Sequence, residues 1–196
     1  MFQVRIHGRG GQGVVAAAEI LSMAAFAEGR HAQAFPSFGS ERMGAPVVSF
    51  CRIDDRPIRT HEPVMEPDAL VVQDVTLIHQ VELFAGLSTD AYVLVNTSRS
   101  FDELGLGEFF GGFHPDRLLT CPATELALEY LGRPLPNAVL LGGFAALTGQ
   151  ITLDAIGTAV RERFPGAVGE RNMAAADAAY RFVTLEEEEM VHASTD

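Results

Sequence analysis

Residues Phe2 to His7 read as a short strand that runs straight into a glycine loop, Gly8-Arg9-Gly10-Gly11-Gln12-Gly13, and from Val14 into a helix. This order constrains the fold more than any other feature. Glycine lets the backbone take positive φ and approach a neighbour closely. The first N–H groups of the helix have no partner within it and point at whatever the loop holds. Gly8, Gly10 and Gly13 match G-x-G-x-x-G, and Gly11 adds a fourth glycine suited to a phosphate nest. The same glycines also suit a tight turn under a close-packed helix. The segment alone leaves both readings open.

The helix from Gly13 to Ala27 is rich in alanine and apolar nearly all round, the mark of a buried helix. Glu28-Gly29-Arg30 stops it, and His31 to Phe35 reads as a second strand. Strand, helix, strand makes a right-handed βαβ unit the default. A proline- and glycine-broken loop follows, from Pro36 to Pro46. Val47 to Ile53 reads as a strand with a hairpin partner at Pro57 to Thr60. Strands at Asp68 to Gln73 and Ala91 to Asn96 flank an amphipathic helix from Thr76 to Leu87. Gly105 to Gly112 reads as a mobile loop, and Leu118 to Cys121 as a last strand. Helices then follow at 123–131, 137–148, 152–163 and about 169–191, with Gly142-Gly143 marking a close approach in the second. The expected fold is α/β, a mostly parallel sheet with flanking helices and a helical C-terminal third. Residues 1–196 are expected to form a single domain.

A Rossmann NAD site needs an acid at the end of the second strand to hold the ribose. That strand ends Gln33-Ala34-Phe35-Pro36, and Glu28 lies before it, at the wrong end of the sheet. All fourteen cationic side chains are arginine, so Walker and Schiff-base lysines are excluded. The six histidines show no metal-binding spacing, and no G-x-S-x-G elbow occurs. His7, ending the first strand, is placed to touch a ligand in the loop. Cys51 and Cys121 are far apart and read as reduced, buried thiols, which points to an intracellular protein. No apolar run is long enough for a bilayer and no signal-peptide pattern opens the chain.

The net charge of −12 argues against nucleic acid or an anionic membrane as partner. Seven arginines (5, 9, 30, 42, 52, 56, 59) nevertheless fall in the first sixty residues against five acids, so the part with the loop is the part that welcomes an anion. Within Pro36 to Pro46, Arg42 is placed to fork onto a carboxylate or phosphate.

The blocks His7-Gly-Arg-Gly-Gly-Gln-Gly-Val-Val15, Gln33-Ala-Phe-Pro-Ser-Phe-Gly-Ser-Glu-Arg42 and Gly44-Ala-Pro-Val47 resemble the gamma subunit of 2-oxoacid:ferredoxin oxidoreductases. Leu94-Val-Asn-Thr97 and Pro136-Asn-Ala-Val-Leu-Leu-Gly-Gly143 extend the resemblance over nearly the whole chain. It implies a cytoplasmic hetero-oligomer with alpha, beta and ferredoxin-like delta subunits. That assembly decarboxylates a 2-oxoacid on thiamine diphosphate with Mg, passes electrons through [4Fe-4S] clusters to an acceptor protein, and releases an acyl-CoA. It places the thiamine and the clusters on the partners. This chain lacks a G-D-G…N diphosphate motif and a cysteine set, in keeping with that division. The resemblance leaves it scaffolding and part of the coenzyme A site. Gly8, Arg9, Gly10, Gly11, Gln12 and Gly13 are the candidate contacts, with Arg42 and Arg59 in support. The beta subunit of indolepyruvate oxidoreductase and a purely structural, ligand-free subunit are the alternatives.

Overall fold

The computed structural model describes residues 1–37 and 43–193, with side chains as far as 189. Six strands form one sheet: β1 (Phe2–Arg9), β2 (His31–Pro36), β3 (Pro46–Asp54), β4 (Ala69–Val72), β5 (Tyr92–Asn96) and β6 (Leu118–Cys121). Their order is β2-β3-β1-β4-β5-β6. β1, β4, β5 and β6 run parallel, whereas β3 is antiparallel to both β1 and β2. The mostly parallel α/β sheet expected from the sequence is borne out. Helix α1 (Val14–Ala27) still carries the chain from β1 to a parallel β2, but β3 returns between them. With β1 on one side and β2 on the other, β3 has no free edge. Pro57 to Thr60 therefore form no strand, which corrects the expected hairpin.

One face of the sheet is covered by α1 and by the helical third: α3 (Ala123–Leu131), α4 (Asn137–Thr148), α5 (Leu153–Arg163) and α6 (Ala167–Ala193). These helices fall where the sequence places them. Val4, Ile6, Cys51, Val71, Leu94 and Cys121 meet α1 and α4 in the main core. Gly142 lets α4 lie against α6, because a Cβ there would stand 1.9 Å from the Ala176 carbonyl oxygen. Close helix packing is thus the use of this glycine.

The other face carries a second core, in which Leu70, Val72, Val93 and Val95 meet Leu77, Leu83 and Phe110. Here the structure corrects two expectations. Residues 76–87 are not an α-helix: a 3₁₀ turn at Val75–His79 gives way to irregular chain. The cause is Arg5. Its buried guanidinium donates to the carbonyls of Leu83 (2.8 Å) and Ala85 (2.7 Å), and more weakly to those of Val64 (3.4 Å) and Met65 (3.3 Å). Gly86, at φ 75°, lies where a Cβ would meet the Met65 carbonyl oxygen at 2.0 Å. An α-helix over 76–87 would use the Leu83 carbonyl internally, on the N–H of Leu87. The glycine-rich stretch 105–112 is likewise ordered. It holds the short helix α2 (Gly107–Phe110), and Phe110 packs edge-on against Phe84, Phe101, Phe109 and Phe113.

Candidate functional site

The glycine loop leaves β1 at the point where β1 and β4 lie side by side and the connections diverge, α1 to one edge and β4 to the other. In parallel sheets such a crevice, beyond the strand ends, is the usual ligand site. Gly8 serves packing here, since a Cβ would stand 2.7 Å from Val14 Cγ2 and 3.1 Å from Gln73 Cβ. Gly11 and Gly13 adopt left-handed φ of 94° and 74°. The Gly10 N–H donates to the Ala45 carbonyl (2.9 Å) and the Gln12 N–H to the Arg9 carbonyl (3.0 Å).

Arg9 and Gln12 face inward. The Arg9 guanidinium donates to Thr76 Oγ1 (2.7 Å), Gln80 Oε1 (2.9 Å) and the Gly44 carbonyl (3.0 Å), and Nε stands 3.2 Å from the Asp74 carboxylate. Gln12 accepts from the Arg9 N–H through Oε1 and donates to Asp74 through Nε2, both at 2.7 Å. Burial pushes the Asp74 carboxyl upward. Hydrogen bonds from Thr76 and Gln12 and the Arg9 charge outweigh that and hold it below the usual range. This carboxylate network ties the loop to the chain that follows β4.

The other side of the loop is open. α1 begins at Gly13 with no side-chain cap. Among the described residues, the N–H groups of Gly11, Gly13, Val14, Val15 and Ala16 have no hydrogen-bond acceptor. Gly11, Gly13 and Ala16 border a pocket of about 540 Å³ between α1, the α3–α4 turn and the first turns of α6. Arg133, Asn137, Arg171 and Asn172 supply its polar groups, and no acidic side chain lines it. Asn137 is 7 % exposed, and its Nδ2 occupies the place of a Gly13 Cβ, which would stand 2.3 Å away.

The structure therefore brings Gly11 and Gly13 to a pocket and turns Arg9 and Gln12 away from it. Arg42 lies outside the described residues, as does the centre of the Pro36–Pro46 loop. Arg59 is exposed on the segment after β3, whose Ile53 pairs with Phe2 at the opposite end of β1 from the glycine loop. Arg133 and Arg171 escaped the sequence reading, because nothing in Gly132-Arg133-Pro134 or within a long helix announces a site. Asn137 did stand in a block singled out by resemblance. Cys51 and Cys121 are free and buried, with burial pushing each thiol up to about 12.

Comparison with known proteins matches residues 3–182 to the pyruvate ferredoxin/flavodoxin oxidoreductase family. The chain belongs to this family. It is 48% identical to pyruvate synthase subunit PorC of Methanothermobacter thermautotrophicus, over 92% of this chain and 94% of that one. It is 47% identical to the pyruvate/ketoisovalerate oxidoreductases common subunit gamma of Thermococcus kodakarensis, over 92% of this chain and 96% of that one. The crystal structure of the pyruvate oxidoreductase subunit PORC of Thermotoga maritima superposes with a TM-score of 0.78 at 36% identity, covering 92% and 95% of the two chains. A 2-oxoglutarate:ferredoxin oxidoreductase from Magnetococcus marinus, solved with 2-oxoglutarate, coenzyme A and succinyl-CoA bound, shares the fold at 15% identity and a TM-score of 0.68; the match covers 94% of this chain and 31% of that one. The resemblance to a gamma subunit of a 2-oxoacid:ferredoxin oxidoreductase is borne out, and this family member is an enzyme subunit. No described helix is long and apolar enough to cross a membrane.

Proposed function

We propose that this chain is the non-catalytic gamma component of a thiamine-diphosphate-dependent oxidoreductase that converts a 2-oxoacid to an acyl-CoA and CO₂, and that it scaffolds the assembly and holds part of coenzyme A. The names of its relatives favour pyruvate as substrate, with a branched-chain 2-oxoacid second. They also favour the gamma role over the beta subunit of indolepyruvate oxidoreductase. The partners are alpha, beta and ferredoxin-like delta subunits and a carrier protein that takes the electrons. The reduced thiols suit the cytoplasm.

Neither thiamine diphosphate nor an iron–sulfur cluster fits this chain. It has no diphosphate–metal motif. Its two cysteines are buried on β3 and β6, with β1, β4 and β5 between them. Coenzyme A does fit, and one observation carries that reading: the uncapped start of α1, with its N–H groups open to a pocket free of acidic side chains. Gly11 and Gly13 let a phosphate approach the backbone, while Gly10, bonded to Ala45 and Gly44, and the side chains of Arg9 and Gln12 hold the loop in shape from behind.

Substituting Gly10 and Gly11 by alanine in the assembled complex tests this. The KM for coenzyme A should rise severalfold while the KM for the 2-oxoacid stays put. An unchanged KM for coenzyme A would support the ligand-free structural reading, which the packing of Gly8 against Val14 already favours for that one residue.

A further inference from the structure

The two faces of the sheet are covered unequally. α1 and α3–α6 lie on one face, whereas the face of β4 and β5 that carries Leu70, Val72, Val93 and Val95 has 3₁₀ turns, irregular chain and the four residues of α2. Strands of a parallel sheet are ordinarily buried under helices on both faces. The thin layer leaves apolar side chains at the surface. Phe109 on α2 is 49% exposed, although its ring centroid lies 5.1 Å from that of Phe84 and 5.9 Å from that of Phe113. Those two rings, with Val81, Leu87 and Leu106 in the same layer, are half-buried. Apolar surface gathered in this way marks an interaction site on a soluble protein. Its rim is acidic. Glu82 and Glu108, next in sequence to Leu83-Phe84 and to Phe109, are exposed, and neither carboxylate makes a hydrogen bond or ion pair among the described residues. Asp102, also exposed, lies against α2, where a Cβ on Gly107 would meet its Oδ1. Residues 80–113 hold five acids, at 82, 90, 102, 103 and 108, against one arginine, Arg99, and no lysine or histidine.

We propose that the Phe84–Phe109–Phe113 face of the second core docks a partner subunit through an apolar anchor ringed by arginine or lysine side chains. The anchor covers the Phe109 ring and supplies the missing layer, and the cations meet Glu82, Asp102 and Glu108. Charge selects this occupant. A second copy of the chain would bring an identical acidic rim against the first, and like charges face to face oppose docking. An anionic lipid surface is repelled in the same way. An uncharged apolar partner would cover the rings but leave the three carboxylates without counter-charges. With an aromatic ring at the centre and charges at the edge, the ring carries the affinity, and the charges set encounter rate and partner choice. The proposal rests on the reading of the chain as a scaffold subunit and names the face by which it is held. That face lies on the side of the sheet away from α1, α4 and α6, so docking there leaves the pocket beside the glycine loop open.

Co-expression of the full-length chain with the alpha, beta and delta subunits, followed by sedimentation of the assembled complex, tests the proposal. Phe109→Ser should leave the isolated chain folded by circular dichroism and raise its Kd for the rest of the complex about tenfold or more. Glu82→Lys/Glu108→Lys keeps every apolar contact. It should weaken assembly several-fold at about 0.05 M salt and much less at about 0.5 M, where the charges are screened. Hydrogen exchange of residues 81–87 and 106–113 should slow on assembly. Unchanged affinity in both variants would overturn the proposal and leave the gamma reading standing, and so would exchange protection confined to other segments. A loss with Phe109→Ser alone would overturn the cationic partner in favour of an uncharged one. A dimer of the isolated chain that Phe109→Ser abolishes would assign the face to a second copy and overturn the proposal. A chain that joins none of the three subunits would overturn both the proposal and the gamma reading.

Discussion

His7 pairs with Val48 on one side and Val72 on the other, so its ring is held in the middle of the sheet. Its Nε2 is buried, with no partner among the described residues. Burial, and secondarily the Arg5 charge, pull the imidazole down to about 4. The unfolded chain takes up that proton near pH 6.5 and the folded chain does not. Stability linked to His7 is therefore complete above about pH 6.5 and falls as pH drops towards 4, by about 3 kcal/mol in all. Urea unfolding between pH 7.5 and 5 should show about 2 kcal/mol of this loss, and His7→Gln should lack it. Equal pH slopes in the two proteins would refute the assignment. Arg9 gives a second check at this scale. Arg9→Lys cannot reproduce the fork onto Thr76, Gln80 and Gly44, and should cost about 2 kcal/mol by thermal unfolding. The sequence showed that Arg9 sits in the loop but not which way it turns. That depends on Asp74 and Thr76, which only the fold brings near.

The elements most legible in the sequence are those whose pattern is settled locally. α3 and α4 follow helical runs and end at Gly132 and Gly149, both in left-handed conformation. The segment 76–87 has a helical pattern too, but Arg5, 78 and 80 positions upstream, claims the carbonyls of Leu83 and Ala85. No local pattern carries that information. The β2–β3–β1 arrangement was hidden for the same reason: a strand's sequence does not say which two edges it will fill. Gly142 and Gly143 show how two identical neighbours differ once packed. A Cβ on Gly142 meets backbone, the Ala176 carbonyl, whereas one on Gly143 meets the Val183 side chain at 3.2 Å. A side chain can turn aside and a helix backbone cannot. Gly142→Ala should lose on the order of 3 kcal/mol and about 10 °C of melting temperature. Gly143→Ala should lose less than half of that. Equal losses would mean that the α4–α6 spacing is not set by Gly142.

At the scale of the whole molecule, charge counted along the chain misleads. The arginine-rich front suggested a positive surface around the loop. Folding consumes most of it: Arg5 and Arg52 are buried, Arg9 pairs with Asp74, and Arg30 pairs with Asp55. The cations left at the candidate site, Arg133 and Arg171, come from the half that is acidic on balance. Site charge is a property of the three-dimensional arrangement, and sequence windows report it only when a site is built from one window. The two cysteines test whether that arrangement behaves as one body. Cys51 lies in the antiparallel half of the sheet and Cys121 at the far parallel edge, both with no exposed surface. Burial raises both thiols to about 12, so neither presents a thiolate at neutral pH while folded. Modification must then wait for opening, and its rate reports the free energy of that opening. If the central strand β1 couples the two halves, Cys51 and Cys121 should react with a thiol reagent at one common rate, with the same dependence on urea as global unfolding. Mass spectrometry of partly labelled protein would show Cys51 and Cys121 modified to the same extent at every time. Faster modification of Cys121 than of Cys51 would mean that the β5–β6 edge opens by itself.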